Sequence, residues 1–322
     1  MKFDVIIGNP PYQLSVMEDS KKATPLYDKF VLQAKALNPR FLIMIIPSRW
    51  FAGGLGLDQF RHEMLNDTRI KKVVDFLDSR DCFPKVKIAG GVCYFLWDRE
   101  YTGKCEVINK HKNKEFSALR SLNERETFIR FEIAARIIRK IKTFNESDLS
   151  TQISGTKPFG LGTKERPSGQ GDLILVSSAE RGRFERSKVR SGEHYIDKWK
   201  VITSKASYDT GGLPHEDGTR RILAKLEVLP PSTICTETYI IVGSFTNQQQ
   251  AEHLEKYMRT KFVRFLISQM SFSQDITKKQ FTFVPQQDYS QAWTDEKLYK
   301  KYGLSKEEIE FIESMIRPME SK

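Results

Sequence analysis

The chain has 322 residues, enough for one large or two medium domains with a substantial core. Apolar residues make up 39 % and charged residues 29 %, a soluble globular balance, and the longest apolar run, Phe41 to Ile46, is far too short to span a membrane. The net charge of +11 favours a polyanionic partner, nucleic acid first.

Taken in chain order, Met1-Lys2-Phe3-Asp4 has no signal-peptide pattern and runs straight into a strand, as though the chain started in the middle of a domain. Residues 3–8 read as a buried parallel strand, because a short β-branched apolar run ends in Gly and Pro. Pro25 to Leu37 reads as a helix with Leu26, Phe30, Ala34 and Leu37 on one stripe. Residues 41–46 form a second buried strand, Leu57 to Leu65 a helix, Ile70 to Leu77 a third strand and Gly91 to Trp97 a fourth. The alternation predicts an open α/β sheet. With no clear helix between them, the third and fourth strands are expected to pair as an antiparallel hairpin closing the sheet edge. Residues 128–142 form an amphipathic basic helix. Residues 155–171, rich in Gly, Pro, Lys and Ser, read as loops. Strand-like pieces follow at Leu173 to Val176, Lys200 to Thr203 and Thr238 to Val242, with helices at Gln249 to Ile267 and Lys306 to Ile316. The expected division is 1–127, a connecting helix over 128–149, and 150–322. The four cysteines, Cys82, Cys93, Cys105 and Cys235, form no CxxC pair, and the five histidines show no metal-ligand spacing. Zinc and a cysteine nucleophile are therefore unsupported, and a reducing cytoplasm is the expected location.

One motif carries chemistry. Asn9-Pro10-Pro11-Tyr12 directly follows the first strand, and in an open α/β sheet ligands bind at the carboxyl ends of strands. The prolines stiffen the turn and remove backbone donors. The Asn9 side-chain oxygen and the Pro10 carbonyl then form two converging acceptors, suited to the two hydrogens of an exocyclic amine such as N6 of adenine. Tyr12 offers a flat face on which a flipped base can stack.

Phe3-Asp4-Val5-Ile6-Ile7-Gly8-Asn9-Pro10-Pro11-Tyr12-Gln13 resembles motif IV of the gamma-type amino-methylating DNA methyltransferases, particularly the Eco57I-like restriction–modification methylases and their TaqI-like relatives. Leu26 to Leu37 and Phe41-Leu42-Ile43-Met44-Ile45-Ile46-Pro47-Ser48-Arg49-Trp50-Phe51 resemble the helix, strand and following segment of that family. Phe83-Pro84-Lys85-Val86 to Trp97 resembles its base-pocket strand. The resemblance implies a partial Rossmann-like methyltransferase sheet followed by an α+β target-recognition domain. It implies adenine-N6 methylation of double-stranded DNA with S-adenosyl-L-methionine as methyl donor. Asn9, Pro10, Pro11 and Tyr12 are its catalytic residues. It also implies a second aromatic from the strand at 91–97. Tyr94, Phe95 and Trp97 are the candidates; Tyr94 lies on the opposite face from the other two, and Phe95 is favoured.

In that family the cofactor loop precedes the Asn-Pro-Pro-Tyr motif. The nearest Gly-rich matches here, 159–163 and 241–245, lack the strand, second glycine or acidic lead that a cofactor loop needs. The expectation is a truncated product or one part of a split enzyme, with a separate cofactor-binding or restriction subunit as partner and no membrane.

Residues 181–200 carry seven Lys/Arg against three acids. Arg181, Arg183, Arg186, Lys188 and Arg190, interleaved with Phe184, Tyr195 and Trp199, are DNA-contact candidates, as are Arg220, Arg221, Lys278 and Lys279. A DNA-binding specificity module without chemistry is the alternative function. A bifunctional restriction endonuclease–methylase is another. Its only Glu-x-Lys, Glu320-Ser321-Lys322, is at the extreme terminus and unsuited to a nuclease centre.

Overall fold

A computed structural model describes residues 3–14, 24–209 and 213–319, so Glu320-Ser321-Lys322 lies outside the described residues. The chain divides into two compact units, Met1–Ala135 with Gly211–Pro214, and Arg136–Thr210 with His215–Lys322. The division falls within the basic helix, α3 (Glu132–Lys142). No helix among the described residues is long and apolar enough to cross a membrane.

The first unit is an α/β layer built on a six-stranded mixed sheet. Its strands are β1 (Val5–Gly8), β2 (Phe41–Pro47), β3 (Ile70–Phe76), β4 (Val92–Asp98), β5 (Cys105–His111) and β6 (Lys114–Arg120), in the order β1-β2-β4-β3-β5-β6. The helices α1 (Tyr27–Ala36) and α2 (Asp58–Asn66) join β1 to β2 and lead from β2 towards β3. β1 and β2 are parallel, with Val5 opposite Phe41. Their carboxyl ends therefore lie at one end of the sheet.

Three expectations are corrected. β4 does pair antiparallel with β3, but it also pairs antiparallel with β2, so it lies inside the sheet and does not close an edge. Its composition accords with an interior place: Val92, Cys93, Phe95 and Trp97 are all buried. The edge on that side belongs to the β5–β6 hairpin, which sequence reading missed. On α1 the buried stripe is Tyr27, Val31 and Ala34, while Phe30 and Leu37 are exposed. Finally, β1 is parallel but not buried. Among the described residues it pairs with β2 alone, and Val5 is 48 % and Ile7 73 % exposed.

The second unit holds two three-stranded sheets. One comprises β9 (Trp199–Ser204), β10 (Leu226–Leu229) and β12 (Tyr239–Phe245); the other β7 (Leu173–Val176), β8 (Arg181–Phe184) and β11 (Thr233–Cys235). Both contribute to a core containing Phe159, Leu175, Phe184, Ile202 and Ile241. The helix expected over 249–267 is two, α4 (Gln248–Arg259) and α5 (Lys261–Ser268). Thr260 has extended backbone, ends the first and caps the second by accepting from the Val263 N–H at 3.2 Å. Two more helices, α6 (Asp295–Lys301) and α7 (Lys306–Met315), complete the unit. The basic face of α3 is paired in this unit: Glu308, almost fully buried at the start of α7, accepts from Lys140 at 2.6 Å and faces Arg136 at 3.3 Å. The strand-like Phe281-Thr282-Phe283 is instead the end of a 3-10 turn, Lys278–Phe281, with Phe281 buried.

Candidate active site

The Asn-Pro-Pro-Tyr turn leaves β1 at the end shared with the carboxyl end of β2. Main-chain bonds from Leu26 N to Tyr12 O (3.1 Å) and from Leu14 N to Thr24 O (3.0 Å) fasten it to the start of α1. The turn opens on a cleft of about 720 Å³. Pro11, Tyr12 and Gln13 form one part of its lining, Pro25 and Tyr27 another, Pro47 and Arg49 a third, and Val86 to Ala89 a fourth. The first three parts lie at the end of a strand or the start of a helix, while Val86 to Ala89 belong to the loop that enters β4 and Leu55 to the loop before α2.

A buried polar network lies beneath this lining. Ser48 Oγ donates to Asp75 Oδ1 at 2.6 Å, and Asn109 Nδ2 donates to Asp75 Oδ2 at 3.2 Å. The Arg130 guanidinium is 3.5 Å from the same carboxylate and donates to the Gly90 carbonyl. Burial pushes the Asp75 carboxyl up and the Arg130 guanidinium down, each against the opposing charge of the other. Ser48 N also bonds Gly91 O at 3.0 Å. The network thereby fixes the turn after β2 to the loop entering β4. Gly91 is required there: its φ is +82°, and a Cβ would sit 2.2 Å from the Phe76 carbonyl oxygen.

Asn9 is exposed, and its side-chain amide has no hydrogen-bond partner among the described residues, so its oxygen is available to a ligand. Pro10 is buried; neither residue is part of the cleft lining, which begins at Pro11. Tyr12 is half-buried with its hydroxyl unpartnered. Burial first, then Cys82 and Cys93, push that hydroxyl up to about 12, so it stays protonated. Phe95 is a correction. It is fully buried in the sheet interior, opposite Met44 and Val73, and does not line the cleft. Alternation distinguishes the two faces of β4: Cys93, Phe95 and Trp97 face the packed interior, while Tyr94 and Leu96 are half-buried on the other face. Neither Tyr27 nor Arg49 is singled out by sequence reasoning, and 83–97 is read there as the base-pocket strand without 86–89 being marked as the part that lines the cleft. Tyr27 and Arg49 fall inside the segments quoted for the resemblance, and Pro25 and Pro47 mark the turns that present them.

The Gly-rich segments do not suit S-adenosylmethionine. A Cβ on Gly160 would meet the Arg190 side chain at 2.6 Å, and one on Gly243 the Leu254 side chain at 2.6 Å. Both glycines serve internal packing, and neither leaves space for a nucleoside. No group of His, Cys, Asp and Glu among the described residues could hold a metal ion.

In the second unit Arg181, Arg183, Arg186, Lys188 and Arg190 are all exposed. Four are paired: Arg181 with Glu227, Arg186 with Asp172 at 3.0 Å, Lys188 with Glu185 at 3.0 Å and Arg190 with Glu165 at 3.2 Å. Arg183 has no ion pair among the described residues. The interleaved Phe184 faces the core, and Tyr195 packs against it. Arg220 is a second correction: it is buried, 3.3 Å from the buried Asp209, and donates to the Ser268 and Ser271 carbonyls. It holds the fold and cannot reach a phosphate. Arg221 is half-buried, its guanidinium 4.4 Å from the centre of the Tyr208 ring. Lys278 and Lys279 are exposed.

Residues 1–83 match the model of the Eco57I restriction-modification methylase family, about a quarter of the chain. The match contains the Asn-Pro-Pro-Tyr turn, α1, β2, α2 and β3. An "uncharacterized adenine-specific methylase" of Mycoplasma pneumoniae is 42 % identical over 132 residues, 40 % of this chain and 31 % of the relative. The chain thus spans about a third of the length of that curated relative. Among solved structures, the type IIG restriction endonuclease BpuSI is similar at a TM-score of 0.37 and 11 % identity over 96 % of this chain and 48 % of that one. The type IIL restriction-modification enzyme MmeI in complex with DNA is similar at 0.42 and 10 %, over 79 % and 43 %.

Proposed function

We propose that this chain takes an adenine flipped out of duplex DNA into the cleft after β1 and presents its amine for methylation at N6, as the adenine-handling part of a restriction–modification methylase. The observation that carries the reading is the Asn-Pro-Pro-Tyr turn at the joint carboxyl end of two parallel strands, opening on the 720 Å³ cleft. On the turn beside that cleft, Asn9 Oδ1 and the Pro10 carbonyl are assigned as acceptors of the two N6 hydrogens. That directs the nitrogen lone pair away from the acceptors and raises its electron density. The Tyr12 ring supports the base face; stacking of this kind contributes about 1–3 kcal/mol per base. The protonated state of its hydroxyl keeps negative charge away from the ring.

S-adenosylmethionine supplies an electrophilic methyl group in the family this segment matches. Neither Gly-rich segment offers it a cradle, and its binding is assigned to a sheet extended beyond β1. The unpaired edge of β1, with exposed Val5 and Ile7, is the place where a further strand would pair, from the same polypeptide or a separate subunit. Duplex DNA is assigned to the exposed cations of the second unit, with Arg183, Lys278 and Lys279 as leading contacts, and the cytoplasm is the working compartment.

The test is methyl incorporation from labelled S-adenosylmethionine into DNA, by the chain co-expressed with the cofactor-binding segment of a full-length relative. The expected product is N6-methyladenine, and Asn9→Ala abolishes it. Wild-type turnover by Asn9→Ala would remove Asn9 from the chemistry. DNA binding with no methylation in any combination would leave a specificity module.

A further inference from the structure

The proposed roles of Asn9, Pro10 and Tyr12 use two acceptors and a flat face, but no donor. Tyr27 provides one that they leave unused. It opens α1, directly after the residue whose N–H bonds the Tyr12 carbonyl. Its ring packs edge-on against Phe60 at 5.9 Å, and the residue is 2 % exposed. It nevertheless lines the cleft beside Tyr12 and Arg49. Its hydroxyl is buried and has no hydrogen-bond partner among the described residues. A buried hydroxyl without a partner is costly, and in a cleft it marks a group waiting for a ligand. The charged or titratable groups that act on it are Cys93 on β4, Asp28 on its own helix and Arg49 after β2. Burial dominates and raises the hydroxyl far above its ordinary value, so it remains a donor.

The surrounding lining is mostly apolar: Pro11, Pro25, Pro47, Leu55, Val86 and Ile88. A donor set in such walls, on the helix start that is bonded to the turn carrying Asn9 and Pro10, suits a ligand with an amine adjacent to a bare ring nitrogen. In adenine, N1 and N7 flank the N6 amine, and both accept without carrying hydrogen. Thymine and guanine place a carbonyl where that amine stands, so the donor discriminates against these two; cytosine, whose N3 adjoins its N4 amine, presents the same pair.

We propose that Tyr27 Oη donates a hydrogen bond to a ring nitrogen beside the amine of the flipped adenine, making Tyr27 a specificity-determining residue. This rests on the adenine reading of the cleft. Removing the hydroxyl costs one hydrogen bond in the complex and leaves the free protein without an unsatisfied group. Binding weakens about fivefold to tenfold, while stability does not fall.

Fluorescence anisotropy on the full chain tests it, with short single-stranded thymidine oligonucleotides carrying one central adenine, 1-deazaadenine, 7-deazaadenine or thymine. The wild type is expected to lose about fivefold to tenfold on one deaza analogue. Tyr27→Phe is expected to lose the same factor on adenine and nothing further on that analogue, with an undiminished melting temperature. Equal losses by Tyr27→Phe on adenine and both analogues, or none on adenine, would overturn the proposal. So would a wild type indifferent to both analogues, an outcome that needs no variant to fold. A wild type that binds the thymine oligonucleotide as tightly as the adenine one, unchanged by Asn9→Ala, would reject the adenine reading itself. A preference for adenine retained without the Tyr27 coupling would reject only this step.

Discussion

Arg220 and Arg183 show how two arginines of one basic chain come to opposite roles. Arg220 is buried against Asp209 and two main-chain carbonyls. Replacing it with methionine takes the guanidinium away from that buried carboxylate, which keeps the Arg221 and Ile222 N–H groups and His215 at 3.5 Å, an expected loss of about 3–5 kcal/mol in a urea melt. Arg183 is exposed on β8 without an ion pair, so Arg183→Ala is expected to leave the melt within about 0.5 kcal/mol. Lys200 is a third case. It is fully buried on β9, donating to the Ile196, Lys198 and Pro230 carbonyls, and burial outweighs the nearby Asp197 charge and lowers it to about 8. An unfolded lysine holds its proton up to about 10.4. Between those values the unfolded chain binds more protons, so the lysine's contribution to stability grows with pH; below about 8 it is flat. The buried thiols and tyrosines act in the opposite direction at high pH. The check is therefore a difference: wild type should gain on Lys200→Met between pH 8 and 10 in thermal melts, and a constant gap would refute it. None of these three fates is legible in the basic residues themselves. Charge counts them, whereas burial and the nearest carboxylate sort them.

At the level of elements, periodicity located α1, α2, β2, β3, β4, β7 and β12 to within a few residues, because each has a one-sided or continuous apolar pattern. It failed where neighbours decide. β5 and β6 carry polar residues at alternate positions and were passed over, although Cys105 and Val107 pack inward. The α4–α5 pair read as one helix because the apolar stripe runs on through Thr260, where only the backbone changes direction. β1 is the most informative element. Its unpaired edge and its exposed Val5 and Ile7 invite pairing with another strand. Val5→Lys with Ile7→Lys is expected to raise the monomeric fraction of the purified chain in light scattering, with little change in melting temperature. If association persists unchanged, this edge is not its site.

For the whole molecule, the excess of cations is expected to give duplex binding that weakens steeply with salt. Arg183→Ala should reduce the slope of log K against log salt by about one, and Lys278→Ala likewise if each meets a phosphate. A slope unaltered by both would make these faces merely solvated. What the sequence by itself determined was the chemistry on offer: a rigid Asn-Pro-Pro-Tyr turn after an apolar strand, a sheet of alternating α and β elements, and a basic second half. Those are local properties, set by proline geometry, apolar periodicity and composition. What only the tertiary structure decided was which groups meet. It placed Phe95 inside the sheet, brought Tyr27, Arg49 and the 86–89 loop to the turn, and set the Ser48–Asp75–Arg130 network beneath them. Convergence of residues distant in the chain depends on strand order and on which face of β4 is packed, and neither is encoded in any single window of residues.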